Sequence, residues 1–253
     1  MDRKALRADL AARAVERHFG PFLIVGGVLA VIGVALFLLS LTGDDAARGW
    51  QLFHVNWIFF TGLSAGCVAV LSVYRICNAK WSGVVIRFAT AGVAFLPISL
   101  VGFLLIFGPG YHHIFPEMHG LFPAKEIWLS RGWMFWRLFI GLVALNLIAF
   151  ALVRADIVPD LFEIRERVNG KRRGLFNRLT AAAGYDGSPE VIVSHDLKVR
   201  RLAAVYTVLY AAVMTLVAFD MVMALQPHWY SNLLGGFFFL GAFLAAHMFF
   251  ALM

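Results

Sequence analysis

Residues 219–243, FDMVMALQPHWYSNLLGGFFFLGAF, place one carboxylate in an apolar run and follow it with a Pro-His-Trp-Tyr-Ser turn before a second apolar run. This pattern predicts two transmembrane helices joined by a short turn. The carboxylate, Asp220, is the only acidic residue in any predicted span. An ionisable side chain in hydrocarbon costs about 2.5–3.5 kcal/mol on insertion scales, so Asp220 needs a partner or a role.

The whole chain continues this pattern, with 253 residues, 61% of them hydrophobic, and a mean hydropathy of +0.78. Each of its long apolar runs reaches the ~20 residues that are needed to cross ~30 Å of hydrocarbon. The sequence therefore predicts an all-α, polytopic transmembrane helix bundle with six spans. The predicted spans, numbered 1 to 6 in chain order, are about 21–42, 52–76, 84–108, 132–153, 202–225 and 232–253.

The basic residues predict the orientation of the bundle. The N-terminus, the region around the connection after span 2 and residues 154–201 hold 18 Lys and Arg residues, whereas the opposite connections hold 3. Basic loops stay in the cytoplasm, so we predict a multi-pass protein of the bacterial inner membrane with a cytoplasmic N-terminus. The net charge of +7 thus reflects topology and lipid contact and does not predict a nucleic-acid partner.

Two polar regions lie outside the predicted spans. Residues 1–20 alternate Arg with Leu and Val, which predicts a basic amphipathic segment on the inner membrane surface. Residues 154–200 form a cytoplasmic connection, which we interpret as a solvated or headgroup-bound loop rather than a nucleotide or partner site. Because span 6 reaches Met253 without a charged cap, we also expect the sequence to be part of a larger subunit.

Three ionisable side chains fall at one depth near the predicted outer face. From the rise of an α-helix, His54 on span 2 lies ~5 Å, Arg137 on span 4 ~8 Å and Asp220 on span 5 ~9 Å inside the membrane. Asp220 and His54 are therefore candidates for handling protons. The alternative is that Arg137 and Asp220 form a fixed ion pair that only holds the helices together.

Two helical faces carry further polar groups. On span 2, Thr61, Ser64 and Ser72 follow His54 and Trp57 at helical spacing. On span 5, Tyr206 and Tyr210 share a face with Asp220. If both faces point inward, these five hydroxyl side chains are candidates for a proton path.

Metal and haem chemistry have weaker signals. His112, His113 and His119 could bind a metal, but a loop at the membrane interface is the commoner explanation, and we predict no metal site. The two cysteines, Cys67 and Cys77, form no cluster, so we predict no iron–sulfur cluster or haem bound by this chain.

Three segments carry a family resemblance: HVNWIFFTGLSAG on span 2, FLPISLVGFLLIFGPGYHHIFP from span 3 onward, and DMVMALQPHWYSNLLGGFFFLGAF from Asp220 onward. They resemble the NrfD or polysulfide-reductase-type integral membrane family, and within it the quinone-binding-type membrane subunits of alternative complex III. The resemblance covers about residues 50–253. It implies that spans 2 to 5 form an NrfD-like four-helix bundle. A full-length member of this family has two such bundles.

The resemblance also implies a function. It predicts a membrane subunit of a quinol:cytochrome c oxidoreductase that meets menaquinol or ubiquinol near the outer face. A homologous membrane subunit, an iron–sulfur protein and haem c subunits would then be its partners and would carry the electrons. Two other functions stay open from the residues alone: a proton-coupled secondary transporter, and a structural membrane anchor.

Overall fold

The fold of this chain is helical throughout the part that the structure describes. The computed structural model describes residues 20–42, 46–83, 85–115, 125–166, 171–226 and 228–252. Within these ranges all regular secondary structure is helical, and six helices are long and apolar enough to cross a membrane. This confirms the predicted all-α, polytopic transmembrane fold, and the chain is an integral membrane protein. The predicted amphipathic segment lies, except for Gly20, outside the described residues.

The helices that form the spans differ in regularity. Spans 1, 2, 4 and 6 are single α-helices, at Gly20–Ser40, Ala46–Ile76, Arg131–Ile164 and Leu234–Ala251. Span 3 consists of Val85–Ala91, a 3₁₀ turn at Gly92–Phe95 and Leu96–Phe107, and span 5 of Pro189–Val217, a π-helix at Ala218–Val222 and a 3₁₀ turn at Met223–Leu225. Shorter helical segments lie at Lys80–Ser82, Tyr111–Ile114, Glu126–Leu129 and Lys171–Ala182.

The chain divides into two compact units. The smaller consists of Met1–Ala46 and Ile157–Ile192, and it contains span 1. The larger consists of Ala47–Asp156 and Val193–Met253, and it contains the main parts of spans 2 to 6. The four helices expected to form one bundle therefore share their unit with span 6.

Small residues allow the helices of the larger unit to approach closely. A Cβ atom on Gly66 of span 2 would lie 2.5 Å from the backbone oxygen of Ala242 on span 6. A Cβ atom on Gly102 of span 3 would lie 2.6 Å from Cδ1 of Trp57 on span 2. Dispersion between closely packed helices replaces the hydrophobic driving force that is missing in lipid, so these contacts hold the bundle together.

The helix of span 4 continues 11 residues beyond the predicted end at 153, to Ile164. Pro159 lies inside it and has no N–H group to bond the carbonyl oxygen of Ala155. His195 of span 5 supplies the missing donor, with its Nε2 atom 2.8 Å from that oxygen. Together with Lys171–Ala182 and the start of Pro189–Val217, this extension makes much of the predicted loop 154–200 helical. The polar composition of the segment did not indicate these helices.

Span 3 is interrupted one turn from its middle. Pro97 follows the 3₁₀ turn Gly92–Phe95 at the start of the second helix, and the Leu96 N–H bonds to the Val93 oxygen. Span 3 thus changes helix type just before Pro97. It leaves the Gly92 oxygen available to the Ser64 hydroxyl of span 2, which donates a hydrogen bond to it.

Candidate functional site at the predicted outer end

Arg137 and Asp220 form a buried ion pair between spans 4 and 5. Arg137 Nε donates to Asp220 Oδ2 at 2.6 Å, and Arg137 Nη2 donates to Oδ1. The Asp220 side chain is 0% exposed and that of Arg137 is 9% exposed. The two parallel hydrogen bonds form the bidentate arrangement that matches a guanidinium to a carboxylate.

Trp128 completes the surroundings of Arg137. Arg137 Nη1 donates to the Trp128 carbonyl oxygen at 2.9 Å, and its guanidinium carbon lies 3.8 Å from the centre of the Trp128 ring. Trp128 belongs to the short helix Glu126–Leu129 that precedes span 4. Arg137 is therefore fixed by a carboxylate, a carbonyl and an aromatic face, and this geometry favours the alternative of a structural ion pair.

Asp220 owes its position to the irregular end of span 5. It lies in the π-helix Ala218–Val222, which the 3₁₀ turn Met223–Leu225 follows. Wide helical turns of this kind occur frequently at functional sites. Span 6 starts close to this point, because a Cβ atom on Gly235 would lie 2.5 Å from Thr215 Cγ2.

His54 has a buried ring nitrogen without a partner. The residue is 2% exposed, and its ring centre lies 5.9 Å from that of Phe115. Within the part of the chain that the structure describes, its Nε2 is the only buried side-chain nitrogen or oxygen that makes no hydrogen bond. An unsatisfied buried polar atom costs about 1–3 kcal/mol, so a ligand that bonds to this nitrogen would remove a real penalty.

The segment after span 3 covers this end of span 2 with aromatic rings. Trp50, one turn before His54, is buried and stacks on His113 with 6.5 Å between ring centres. Arg131 fixes the segment, because its Nη2 atom donates to the Phe107 oxygen at 2.5 Å and its guanidinium lies 4.7 Å from the Tyr111 ring centre. The aromatic rings of this segment thus lie at the end of span 2 that carries His54.

The polar residues of span 2 share a buried face, as their spacing predicted. His54, Trp57, Thr61, Ser64 and Ser72 are all buried. Thr61 and Ser99 share a hydrogen bond between their hydroxyl groups at 2.6 Å, and Trp57 Nε1 donates to the Ser99 carbonyl oxygen at 2.7 Å. The Ser72 hydroxyl donates to the Val68 oxygen of its own helix at 2.9 Å.

The tyrosines of span 5 are buried with Asp220, also as predicted. Tyr206 donates to the Ala65 oxygen of span 2 at 2.9 Å, and Tyr210 donates to the Phe239 oxygen of span 6 at 2.7 Å. Their rings are 6.2 Å apart. Both hydroxyl groups thus bond to backbone carbonyls and tie span 5 to its neighbours.

The structure brings together only some of the predicted site residues. Arg137 and Asp220 are in direct contact. Among the described residues, no hydrogen bond or ion pair joins His54 to either of them. Of the three side chains predicted at one depth, Arg137 and Asp220 form an ion pair, whereas Nε2 of His54 makes no hydrogen bond.

A second charged cluster, which the sequence did not predict, consists of Asp156, Arg75 and Arg87. Asp156 on span 4 accepts a hydrogen bond from Arg75 Nε on its Oδ1 and one from Arg87 Nη1 on its Oδ2, the latter at 2.8 Å. Its side chain is only 1% exposed. The predicted end of span 4 at 153 leaves Asp156 outside the span, and both arginines count toward the predicted topology. The apolar pattern that continues through residues 155–162 is the signal that could have located this cluster.

The remaining candidates give no cluster of ligands. Within the described ranges no group of three His, Cys, Asp or Glu side chains could hold a metal ion, and His119 lies outside those ranges. His112 Nε2 lies 3.4 Å from Arg131 Nη1. Cys67 is buried and Cys77 exposed, and both are free thiols.

No protein-family model matches the sequence, and a search of curated proteins finds no match.

Proposed function

We propose that this chain is a quinone-associated, proton-conducting membrane subunit of a respiratory quinol:cytochrome c oxidoreductase of the alternative complex III type. The observation that carries the proposal is the unpaired, buried Nε2 of His54 beside the Phe115 ring. A quinol hydroxyl can donate to a neutral imidazole nitrogen, and a protonated imidazole can donate to a quinone carbonyl. The resemblance to the NrfD family supports the same assignment.

In the proposed reaction, the protons and the electrons of the quinol pass to different acceptors. Oxidation of one menaquinol or ubiquinol to its quinone releases two electrons and two protons. His54 accepts a proton from the quinol hydroxyl to which it bonds. The electrons pass to iron–sulfur and haem c subunits of the same complex, with a homologous membrane subunit as a further partner.

Asp220 and the buried hydroxyl groups provide the proposed proton route. In this route Asp220 takes up a proton only after its two hydrogen bonds to Arg137 break. Thr61, Ser64, Ser72, Tyr206 and Tyr210 each donate to an oxygen in the structure, or share a hydroxyl pair. Each must therefore rotate to pass a proton, so the route is gated. We place the N-terminus of the subunit in the cytoplasm of the bacterium.

A secondary transporter is the second candidate, because two spans are interrupted. Span 3 changes helix type at Gly92–Phe95 and span 5 at Ala218–Leu225. Interrupted helices form the substrate sites of many transporters. Proton-driven solute uptake by the isolated protein in vesicles, without quinol, would favour this candidate over the first.

The ligand role of His54 can be tested with His54→Phe. This change keeps an aromatic side chain and removes the unpaired nitrogen, so we expect thermal stability to be unchanged or higher. We expect a soluble quinol analogue, titrated by quenching of tryptophan fluorescence, to bind at least tenfold more weakly. His113→Phe, on the ring that stacks on Trp50, is the matched control and should bind as the wild type does. Wild-type affinity in His54→Phe would refute the assignment.

The proposed partners need a separate test. Mild solubilisation of native membranes, followed by a native gel with haem staining and mass spectrometry, should find this chain in one band with haem c and iron–sulfur proteins. Recovery of the chain alone, with no redox protein in its band, would contradict the proposed complex.

A further inference from the structure

We propose that Arg131 is a positioning residue for the site at His54, and that it holds the Phe115 ring in place without touching the ligand. This role rests on the quinol site proposed above. A series of contacts between described residues leads from Arg131 through Tyr111 and Phe115 to His54.

Arg131 is placed unfavourably for its own helix. It is the first residue of Arg131–Ile164, and a positive side chain at a helix N-terminus opposes the helix dipole. Its Nη2 atom instead donates to the carbonyl oxygens of Phe107 and Gly108, at 2.5 and 3.2 Å. The second helix of span 3 ends at Phe107, and Gly108 follows it. Arg131 therefore caps span 3 at the end where carbonyl groups lack helical partners and where the dipole favours a cation.

Arg131 also contacts the segment that follows this helix end. Its guanidinium carbon lies 4.7 Å from the centre of the Tyr111 ring, which is a cation–π contact. Gly110, the residue before Tyr111, donates its N–H to the Leu105 oxygen of span 3 at 3.1 Å. Tyr111 is thus fixed through its backbone by this turn and through its ring by Arg131.

Tyr111 in turn fixes Phe115. The two rings are stacked, with 4.9 Å between their centres and 26° between their planes. The Phe115 N–H also donates to the Tyr111 carbonyl oxygen at 2.9 Å. Phe115 is 5% exposed, and its ring centre lies 5.9 Å from that of His54. Tyr111 therefore determines where the ring beside His54 lies.

These contacts bear on the affinity of the site. Ordering a side chain during binding reduces affinity, and contacts that hold the side chain beforehand remove this cost. Without Arg131, the end of span 3 loses its cap and the Tyr111 ring loses its cation. Tyr111 and Phe115 then have to be ordered when the ligand binds. The ring of Tyr111 is needed for this effect, whereas its hydroxyl group takes no part in the contacts.

The test measures the binding of duroquinol, a soluble quinol, to the purified full chain by quenching of tryptophan fluorescence. We expect Arg131→Gln to bind it about fivefold more weakly, the factor that ordering two aromatic side chains during binding represents. Tyr111→Leu should weaken binding by a similar factor, whereas Tyr111→Phe, which keeps the ring, should bind as the wild type does. Arg131→Lys keeps a positive charge and a donor, so it should bind more tightly than Arg131→Gln. Arg48→Gln, at an exposed arginine near the predicted outer end of span 2, is the matched control and should have wild-type affinity.

A double variant separates positioning from general loss of stability. If Arg131 and Tyr111 both act through Phe115, Arg131→Gln combined with Tyr111→Leu should bind no more weakly than the weaker single variant, whereas independent effects would multiply. Should Arg131→Gln not fold, as shown by its melting curve without ligand, the comparison of Tyr111→Leu with Tyr111→Phe decides the question alone.

The contrary outcomes distinguish this role from the quinol site itself. Wild-type affinity in Arg131→Gln or Tyr111→Leu, a multiplied loss in the double variant, or an equal loss in Arg48→Gln would overturn the role of Arg131. Equal losses in Tyr111→Phe and Tyr111→Leu would also overturn it, because the hydroxyl group would then be what matters. In each of these cases weaker binding by His54→Phe would leave the quinol site standing, whereas wild-type affinity in His54→Phe would remove the site as well.

Discussion

Asp220 and Asp156, the two carboxylates that are buried among the described residues of the larger unit, are paired with arginine in different ways. Asp220 meets one arginine, which is 9% exposed, and the pair is neutral. Asp156 meets two arginines, Arg75 and Arg87, whose side chains are about a third exposed. Arginines that are partly exposed keep contact with headgroups and water, whereas a fully buried carboxylate depends on its counter-ion alone. This comparison predicts different responses to the same kind of substitution.

The largest effect should come from Arg137→Ala. It leaves Asp220 buried without a counter-ion, and breaking a buried pair in this way typically costs about 3–5 kcal/mol. Equilibrium unfolding in mixed micelles, with denaturing detergent as the variable, should show this loss. The double variant Arg137→Met with Asp220→Leu should regain most of it, because neither charge remains. A loss below about 1 kcal/mol in the single variant would mean that water reaches Asp220.

A smaller effect is expected where span 4 passes Pro159. His195→Ala removes the donor to the Ala155 oxygen, and an unsatisfied buried carbonyl costs about 1–3 kcal/mol. Pro159→Ala restores a backbone N–H at that point. Adding it to His195→Ala should therefore recover more stability than it adds to the wild type, and a double-mutant cycle by thermal unfolding measures the difference. Purely additive effects would contradict this account of the helix.

Asp156→Asn should cost less than Arg137→Ala, about 1 kcal/mol, because both arginines keep contact with water or headgroups. The remaining charge should make the variant sensitive to its surroundings. We expect its melting temperature to rise more than that of the wild type when phosphatidylglycerol replaces phosphatidylcholine. Equal losses in Asp156→Asn and Arg137→Ala, measured in the same lipid, would remove the distinction between the two sites.

A similarly small change in stability should follow Tyr206→Phe on span 5. Loss of its hydrogen bond to the Ala65 oxygen should cost about 0.5–1.5 kcal/mol. If the tyrosine belongs to the proton route, quinol-driven proton release in vesicles should fall even though the complex assembles. Thr207→Val, which removes a hydroxyl that bonds only within its own helix, is the control. Equal proton release in both variants would leave Tyr206 with a packing role.

Features that depend on residues close together in the sequence could be predicted, whereas features that depend on distant residues could not. Hydrophobic length and helical spacing are local, so they predicted the spans and the buried face of Thr61 and Ser64. The depth of Arg137 and Asp220 followed from helix rise, and their contact agrees with the ion-pair alternative. The orientation of the chain, the quinone and the partners stay predictions.

Other features depend on residues far apart in the sequence. Span 4 continues beyond Pro159 because His195, 40 residues from Ala155, supplies a donor. Asp156 is buried because arginines from spans 2 and 3 reach it. The π-helix that positions Asp220 has no pattern of its own in the sequence. Local composition cannot contain such information, so the predicted loop 154–200 and the end of span 4 needed the structure.

The close approach of span 6 to Gly66 determines how these positions can vary. An added Cβ atom at 66 would meet a backbone oxygen, which cannot rotate away as a side chain does. A Cβ atom added to Gly236 or Gly241 of span 6 would have no neighbouring atom within 4 Å. In a library that randomises all three glycines and selects for correctly inserted protein, codon 66 should return almost solely glycine. Codons 236 and 241 should return a broad set of apolar residues, so tolerance to mutation will mark the buried seam of the bundle.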